Sequence, residues 1–179
     1  MNKHALYHKS DSHYSFALTP DTVELRLRAA KDDIRAVKLI YGKKHEFCMR
    51  QSSASMSFAA SDGLYDYFTV RLKLKDKRLA YVFYIESTDG KSYYYSEDGA
   101  TENYDFSNAF YNFFQLAYIN ENDVMNKVDW LSQAVVYQIF VDRFYRGDGE
   151  EKSDDGYINL KWGQKPTPKS FAGGTLWGV

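Results

Sequence analysis

From Val23 to Ala29 the chain alternates without a break. Val23, Leu25, Leu27 and Ala29 fall in one phase, and Glu24, Arg26 and Arg28 in the other. A period of two places the apolar set on one face of a strand and the charges on the opposite face, which predicts a half-buried β-strand. Tyr65 to Leu74 repeats the pattern, with Phe68, Val70, Leu72 and Leu74 opposite Thr69, Arg71 and Lys73. Ala36 to Tyr41 is a further apolar-rich candidate, and Tyr14 to Leu18 a weaker first strand. Leu79 to Glu86 is apolar in both phases, which predicts a central strand covered on both faces. Thr88-Asp89-Gly90 then gives a hairpin signal ahead of Ser92 to Ser96. The Ser- and Ala-rich stretch Cys48 to Asp62 reads as a long loop or an irregular edge. Short strands in this density, with no amphipathic helix among them, predict an antiparallel β-sandwich.

Beyond Tyr104 the pattern changes. Aromatic residues continue to Tyr118 without a period, and Ile119 to Asp129 is polar and rich in Asn and Asp, as linkers are. Ala134 to Phe140 (AVVYQIF) is a nearly continuous apolar run, which suits a parallel strand covered on both sides. Polar residues and glycine dominate from Arg146 to Gly156, a surface loop, and Phe171 to Val179 is a glycine-rich turn. The chain therefore divides into a sandwich over residues 1–122, a linker over 123–133 and the start of a different domain over 134–179.

Composition narrows the function classes. Net charge is −1 and the sequence pI about 6.4, so no basic stripe exists to follow a phosphate backbone, and a nucleic-acid partner is excluded. No apolar run reaches the length of a membrane span. Cys48 is the single cysteine, so no intrachain disulfide can form, which fits a reducing compartment or indifference to redox state. The opening MNKHALYHKSDSHYSF carries no apolar run of the signal-peptide kind, and the expected location is cytoplasmic. His4, His8 and His13 read as solvated or tag-like, and no Cys/His pair has zinc spacing.

At Trp130 to Gly149 (WLSQAVVYQIFVDRFYRGDG) the sequence resembles the opening of the catalytic domain in the α-amylase superfamily, in its cyclomaltodextrinase, neopullulanase and maltogenic amylase branch. The carrying residues are Tyr137, Gln138, Ile139, Phe140, Asp142, Arg143 and Phe144, with Val141 where that branch usually has proline. A second motif follows at Phe171, Gly173, Gly174, Leu176 and Gly178, with Thr175 in place of an acid. The upstream sandwich and linker resemble, in layout and length, a starch-binding module of carbohydrate-binding family 34. The resemblance implies a mainly β chain: an immunoglobulin-like sandwich followed by the truncated start of a (β/α)8 barrel. Such a barrel needs about 250 residues, so most of its strands would lie outside this chain.

Retaining glycosidases work with two carboxyl groups about 5 Å apart. The resemblance implies an Asp nucleophile, a Glu acid/base and a second Asp, none of which matches a position here, so no catalytic residue is assigned. Asp142 reads as a local ion pair or a hydrogen-bond anchor for its loop. The resemblance also implies a structural calcium near Asp148 and Gly173, to which Asp154 or Asp155 could add an oxygen. Arg146 and Thr175 replace expected oxygen donors there, so tight calcium binding is not expected and no cofactor is required. Aromatic rings suit sugars because their faces pack on C–H surfaces. The tyrosine concentrations nominate Tyr65, Tyr67, Tyr93 and Tyr95 as binding candidates against the plainer reading of core packing. Three functions remain open: the front of an α-glucan hydrolase, a stand-alone glucan-binding protein, or an assembly module that supports a homodimer.

Overall fold

The computed structural model describes residues 1–124, 128–147, 160–161 and 163–179, in two compact units, Met1–Lys127 and Val128–Val179. Among the described residues of the first, ten strands form: β1 Ser15–Thr19, β2 Thr22–Ala30, β3 Ile34–Gly42, β4 Ser52–Ser55, β5 Ser57–Ser61, β6 Tyr65–Lys73, β7 Leu79–Ser87, β8 Ser92–Ser96, β9 Gly99–Thr101 and β10 Phe114–Leu116. They make two antiparallel sheets, one in the order β1-β2-β6-β5 and the other β4-β3-β7-β8-β9, with β10 also on β7. This is the expected immunoglobulin-like sandwich.

The alternation in β2 and β6 works as its period requires. Val23, Leu25, Leu27 and Ala29 are fully buried, and Phe68, Val70 and Leu72 meet them from β6. From the other sheet come Val37 and Leu39 of β3 and Tyr81, Phe83 and Ile85 of β7. The second phase of β7 is buried too. Ala80 and Val82 lie on the outer face of that sheet under Phe47, Ala109 and Phe113, with Tyr94, Tyr104 and Phe106 around them. The irregular aromatic stretch after residue 103 is thus a cover for the sheet, and β7 is apolar in both phases from Leu79 to Ile85 because both its faces are covered.

Cys48 to Asp62, expected as a long loop or an irregular edge, forms sheet edges: it contains two short strands, the second with a register irregularity. β4 closes an edge of the second sheet against Lys38–Tyr41, and β5 closes an edge of the first against Asp66–Thr69. Between them Met56 is buried and its N–H donates to the Val37 carbonyl (2.9 Å), so the chain changes sheets there. The three N-terminal histidines also differ from one another. His4 and His13 are exposed, but His8 is buried at 6% exposure among Tyr81, Phe83 and Phe114. The Arg26 carbonyl (2.6 Å) can only accept, so Nδ1 of His8 carries a proton and Nε2 accepts from the Tyr81 hydroxyl (2.8 Å).

In the second unit Ala134 to Phe140 forms no strand, and Val135, Val136, Tyr137 and Phe140 are between 68% and 96% exposed. A strand exists only by pairing, and the described residues of this unit offer this segment no partner. Its amides should therefore exchange with deuterium close to the unprotected rate, while those of β7 stay protected by pairing on both edges. Comparable protection in the two segments would show that the apolar run has found a strand to pair with.

Candidate functional site

The outer face of the first sheet is graded from charge to aromatic. Cross-strand register sets Glu24 beside Arg71, Arg26 beside Thr69, Arg28 beside Tyr67 and Ala30 beside Tyr65. At the charged end the buried Glu24 carboxylate accepts from Arg26 (Nε 2.8 Å, Nη2 2.6 Å) and from Arg71 Nε (2.8 Å). Burial opposes its charge, but these two guanidiniums outweigh burial and hold its carboxyl below the ordinary glutamate range.

At the other end the N-terminal segment adds a ring. Tyr7 and Arg28 exchange both backbone hydrogen bonds at 2.9 Å, which carries the row Tyr7, Arg28, Tyr67 across the sheet. Residues directly opposite in antiparallel pairs point to the same face, so all three project outward. The Arg28 guanidinium lies over the Tyr65 ring at 4.3 Å and over Tyr7 at 4.9 Å. Such contacts fix the cation while leaving apolar ring surface beside it. Tyr7 is 39% exposed, and Tyr65 and Tyr67 are half-buried.

Asp62, in the β5–β6 turn, completes the face. One carboxylate oxygen accepts from the backbone of Leu64 (2.7 Å) and Tyr65 (2.8 Å), and the other from the Tyr67 hydroxyl (2.9 Å). Those backbone donors, Leu64 first, keep its carboxyl below the usual range, and the same bond raises the Tyr67 phenol. The result is a fixed anionic acceptor beside partly exposed rings. Rings to pack on C–H surfaces and an immobilised carboxylate to accept hydroxyls form a surface suited to a polyhydroxylated ligand. Tyr7 was not visible as a site residue in the sequence, because it reaches this face through a single bridge and belongs to no alternating run.

Tyr93 and Tyr95 are elsewhere. They pair with Ile85 and Phe83 and so take the inward phase of the second sheet. Tyr93 is 5% exposed, and Tyr95 packs on Phe83 and Phe114. Tyr93 is buried and the half-buried Tyr95 points inward, so neither joins the face of Tyr65 and Tyr67. It is Tyr94, between them, that takes the outward phase, under the aromatic cover.

In the second unit Asp142 is the loop anchor. Its carboxylate accepts from Ala172 N (3.1 Å) and Gly173 N (2.9 Å). A Cβ on Gly174 would collide with the Val141 carbonyl and reach the Asp142 carbonyl oxygen at 2.7 Å, so glycine is required for this close approach. The Arg146 guanidinium donates to the carbonyls of Ala172 (2.6 Å) and Leu160 (3.1 Å), and the Thr175 hydroxyl donates to the Arg146 carbonyl (3.0 Å). Asp148 and Asp154, named with Gly173 for calcium, lie outside the described residues, as does Asp155. Among the described residues, a cation and a hydroxyl stand where the resemblance implies oxygen donors for calcium. The Arg146 cation donates to the Ala172 carbonyl beside Gly173, and the hydroxyl is that of Thr175. No group of His, Cys, Asp or Glu suited to a metal occurs among the described residues, and no helix among them is long and apolar enough to cross a membrane.

The geometry can be set beside known proteins. A cyclomaltodextrinase from Thermoanaerobacter pseudethanolicus is 36% identical over 179 residues, which is all of this chain and 30% of that protein. A maltogenic α-amylase from Bacillus acidopullulyticus is 32% identical over 183 residues, again all of this chain and 30% of the relative. The chain thus spans about 30% of the length of these curated relatives. A solved cyclomaltodextrinase structure superimposes with a TM-score of 0.66 and 28% identity over 84% of this chain and 26% of its own. Residues 1–120 match the family described as "Alpha amylase, N-terminal ig-like domain". The chain, with its two-sheet sandwich, belongs to that α-amylase N-terminal Ig-like domain family.

Proposed function

We propose that this chain is the N-terminal part of an α-glucan hydrolase, and that its sandwich binds the glucan on the outer face of the first sheet. The carrying observation is the grouping of Tyr7 and Tyr65 around Arg28, beside Tyr67, whose hydroxyl donates to the immobilised Asp62 carboxylate. The relatives' names, cyclomaltodextrinase, maltogenic α-amylase and neopullulanase, support an α-glucan as the ligand class, and maltooligosaccharides, cyclodextrins, pullulan or starch are the ligands we propose. Ala134 to Phe140 then supplies the first strand of a catalytic barrel whose catalytic carboxylates lie outside this chain, and the 179 residues alone do not hydrolyse glucan. A cytoplasmic setting goes with this reading, as in the relative from Bacillus subtilis named an intracellular maltogenic amylase. A face of two or three rings cannot enclose a ligand, so maltoheptaose is expected to bind with Kd around 1 mM, roughly 4 kcal/mol. Titration followed by amide chemical shifts tests this: shifts should cluster at residues 62–67 and at Tyr7. Shifts confined elsewhere would remove this face from the proposal.

A second reading, in which the module supports a homodimer, has its own observation. Phe110 and Tyr111 are 71% and 83% exposed on the loop before β10, and adjacent bare aromatics suit a protein contact. Light scattering across a concentration series distinguishes the two, and a Phe110→Ser, Tyr111→Ser variant should shift any dimer to monomer.

Calcium is not part of the proposal. After treatment with a chelator, calorimetry should detect no calcium binding tighter than about 1 mM, the weak end of the protein range. Micromolar binding would show that residues outside those described outweigh the Arg146 cation.

A further inference from the structure

Away from the tyrosine face, the first unit carries a cleft of about 440 Å³ between the end of β3, the loop that follows it, and the β6–β7 connection. Five cations line it: Lys43, Arg50, Lys73, Lys75 and Arg78. Its two carboxylates are Glu46 and Asp76. Glu46 is taken by Lys43 (3.1 Å), and Lys73 turns to Asp21 outside the cleft (3.4 Å). Asp76 accepts from the backbone N–H of Arg78 (3.2 Å). Among the described residues, the side chains of Arg50, Lys75 and Arg78 have no carboxylate partner. Three unpaired cations around one concavity, on a chain whose net charge is −1, are a local excess that the overall composition conceals.

The wall carrying Arg50 is held in place. Phe47 is fully buried, Gln51 donates to its carbonyl, and Arg50 N donates to the Glu46 carbonyl (2.8 Å). A Cβ on Gly42 would stand 2.7 Å from the Arg50 carbonyl, so glycine lets this loop fold back on β3. Binding to cations on a fixed backbone loses less freedom than binding to a mobile loop.

We propose that this cleft binds a phosphate monoester of a small polyhydroxylated molecule, a sugar phosphate. Two guanidiniums and an ammonium match the charge and fork geometry of a phosphate. The volume is far larger than that one group needs and falls within the range of small-molecule sites. Tyr41 and Leu74 supply apolar wall for the remainder of the ligand.

The test uses the full chain, with glucose 6-phosphate, inorganic phosphate and glucose as probes, followed by amide chemical shifts in about 0.15 M salt to screen loose surface charge. Glucose 6-phosphate should shift residues 42–52 and 73–79 saturably, and glucose should not. The Arg50→Gln, Arg78→Gln variant should weaken binding by about tenfold or more, since charge-assisted bonds are lost. The Lys31→Gln, Lys91→Gln variant, with the same change in charge elsewhere on the surface, should bind as the wild type does. Tighter binding of glucose 6-phosphate than of inorganic phosphate supports the proposal in full. Equal binding of the two, still lost in the arginine variant, supports the anion site and names free phosphate as its occupant. Equal loss in both variants, or no loss in the arginine variant, overturns it.

Discussion

Acidification from pH 7 to pH 4 is expected to destabilise the sandwich by about 3 kcal/mol through His8 alone. Burial among aromatic rings pushes the His8 imidazole from 6.5 down to about 4, against the smaller opposing effects of the Arg26 carbonyl and Asp11. In the unfolded chain the same group takes its proton near its ordinary value. Between those two values the unfolded state holds more protons than the folded one, so stability rises with pH across the window and is level above it. The neighbours Tyr14, Tyr81 and Tyr95 remain neutral throughout, since burial raises each phenol, that of Tyr81 to about 12. The depressed carboxyls of Asp62 and Glu24 lose their contribution below their ordinary range, at the acid end of the His8 window. Denaturant unfolding at a series of pH values checks the effect. In His8→Gln, the stability slope between pH 6.5 and 4 should flatten. An unchanged slope would mean that His8 protonates in the folded state without penalty.

Phe83→Ala should cost about 3–5 kcal/mol, roughly a fifth or more of the stability expected for a domain of this size. The ring is fully buried and contacts His8, Tyr81, Tyr95 and Phe114. Those neighbours belong to three strands and the N-terminal segment, so they cannot close together over the space. The loss should appear as a drop in the thermal midpoint of roughly 10–20 °C. Because the cavity would open beside His8, the two substitutions should not be additive. A loss below about 1 kcal/mol would mean that the site collapses freely.

How far the fold could be read depended on whether side chains or backbone pairing did the work. β2 and β6 were legible because one phase is apolar and the other charged. β7 was legible because both phases are apolar and both are covered. β4 and β5 left no such signal: they are mostly exposed Ser and Ala on sheet edges, held by ladder hydrogen bonds to β3 and β6. Ala134 to Phe140 shows the converse, a strong apolar pattern with no partner to pair with among the described residues.

The candidate site was legible to the same degree. Tyr65 and Tyr67 could be placed outward because Phe68 and Val70 set the phase of β6. Tyr93, Tyr94 and Tyr95 could not be sorted, since three tyrosines in a row occupy both phases alike. Only the pairing with Phe83 and Ile85 decides that the outer two point inward. His8 looked like a solvated residue because its burial depends on β7 and β10, far along the chain.

The central claim is that the Tyr65/Tyr67 face binds α-glucan, and maltoheptaose titration of Tyr65→Ala, Tyr67→Ala tests it most directly. Both side chains lie on the outer face, so the variant should keep its thermal midpoint within a few degrees, which serves as the folding control. With the fold intact, the account predicts that an affinity near 1 mM weakens by about tenfold or more, as expected when stacked rings supply most of roughly 4 kcal/mol. An unchanged affinity in the folded variant would contradict it.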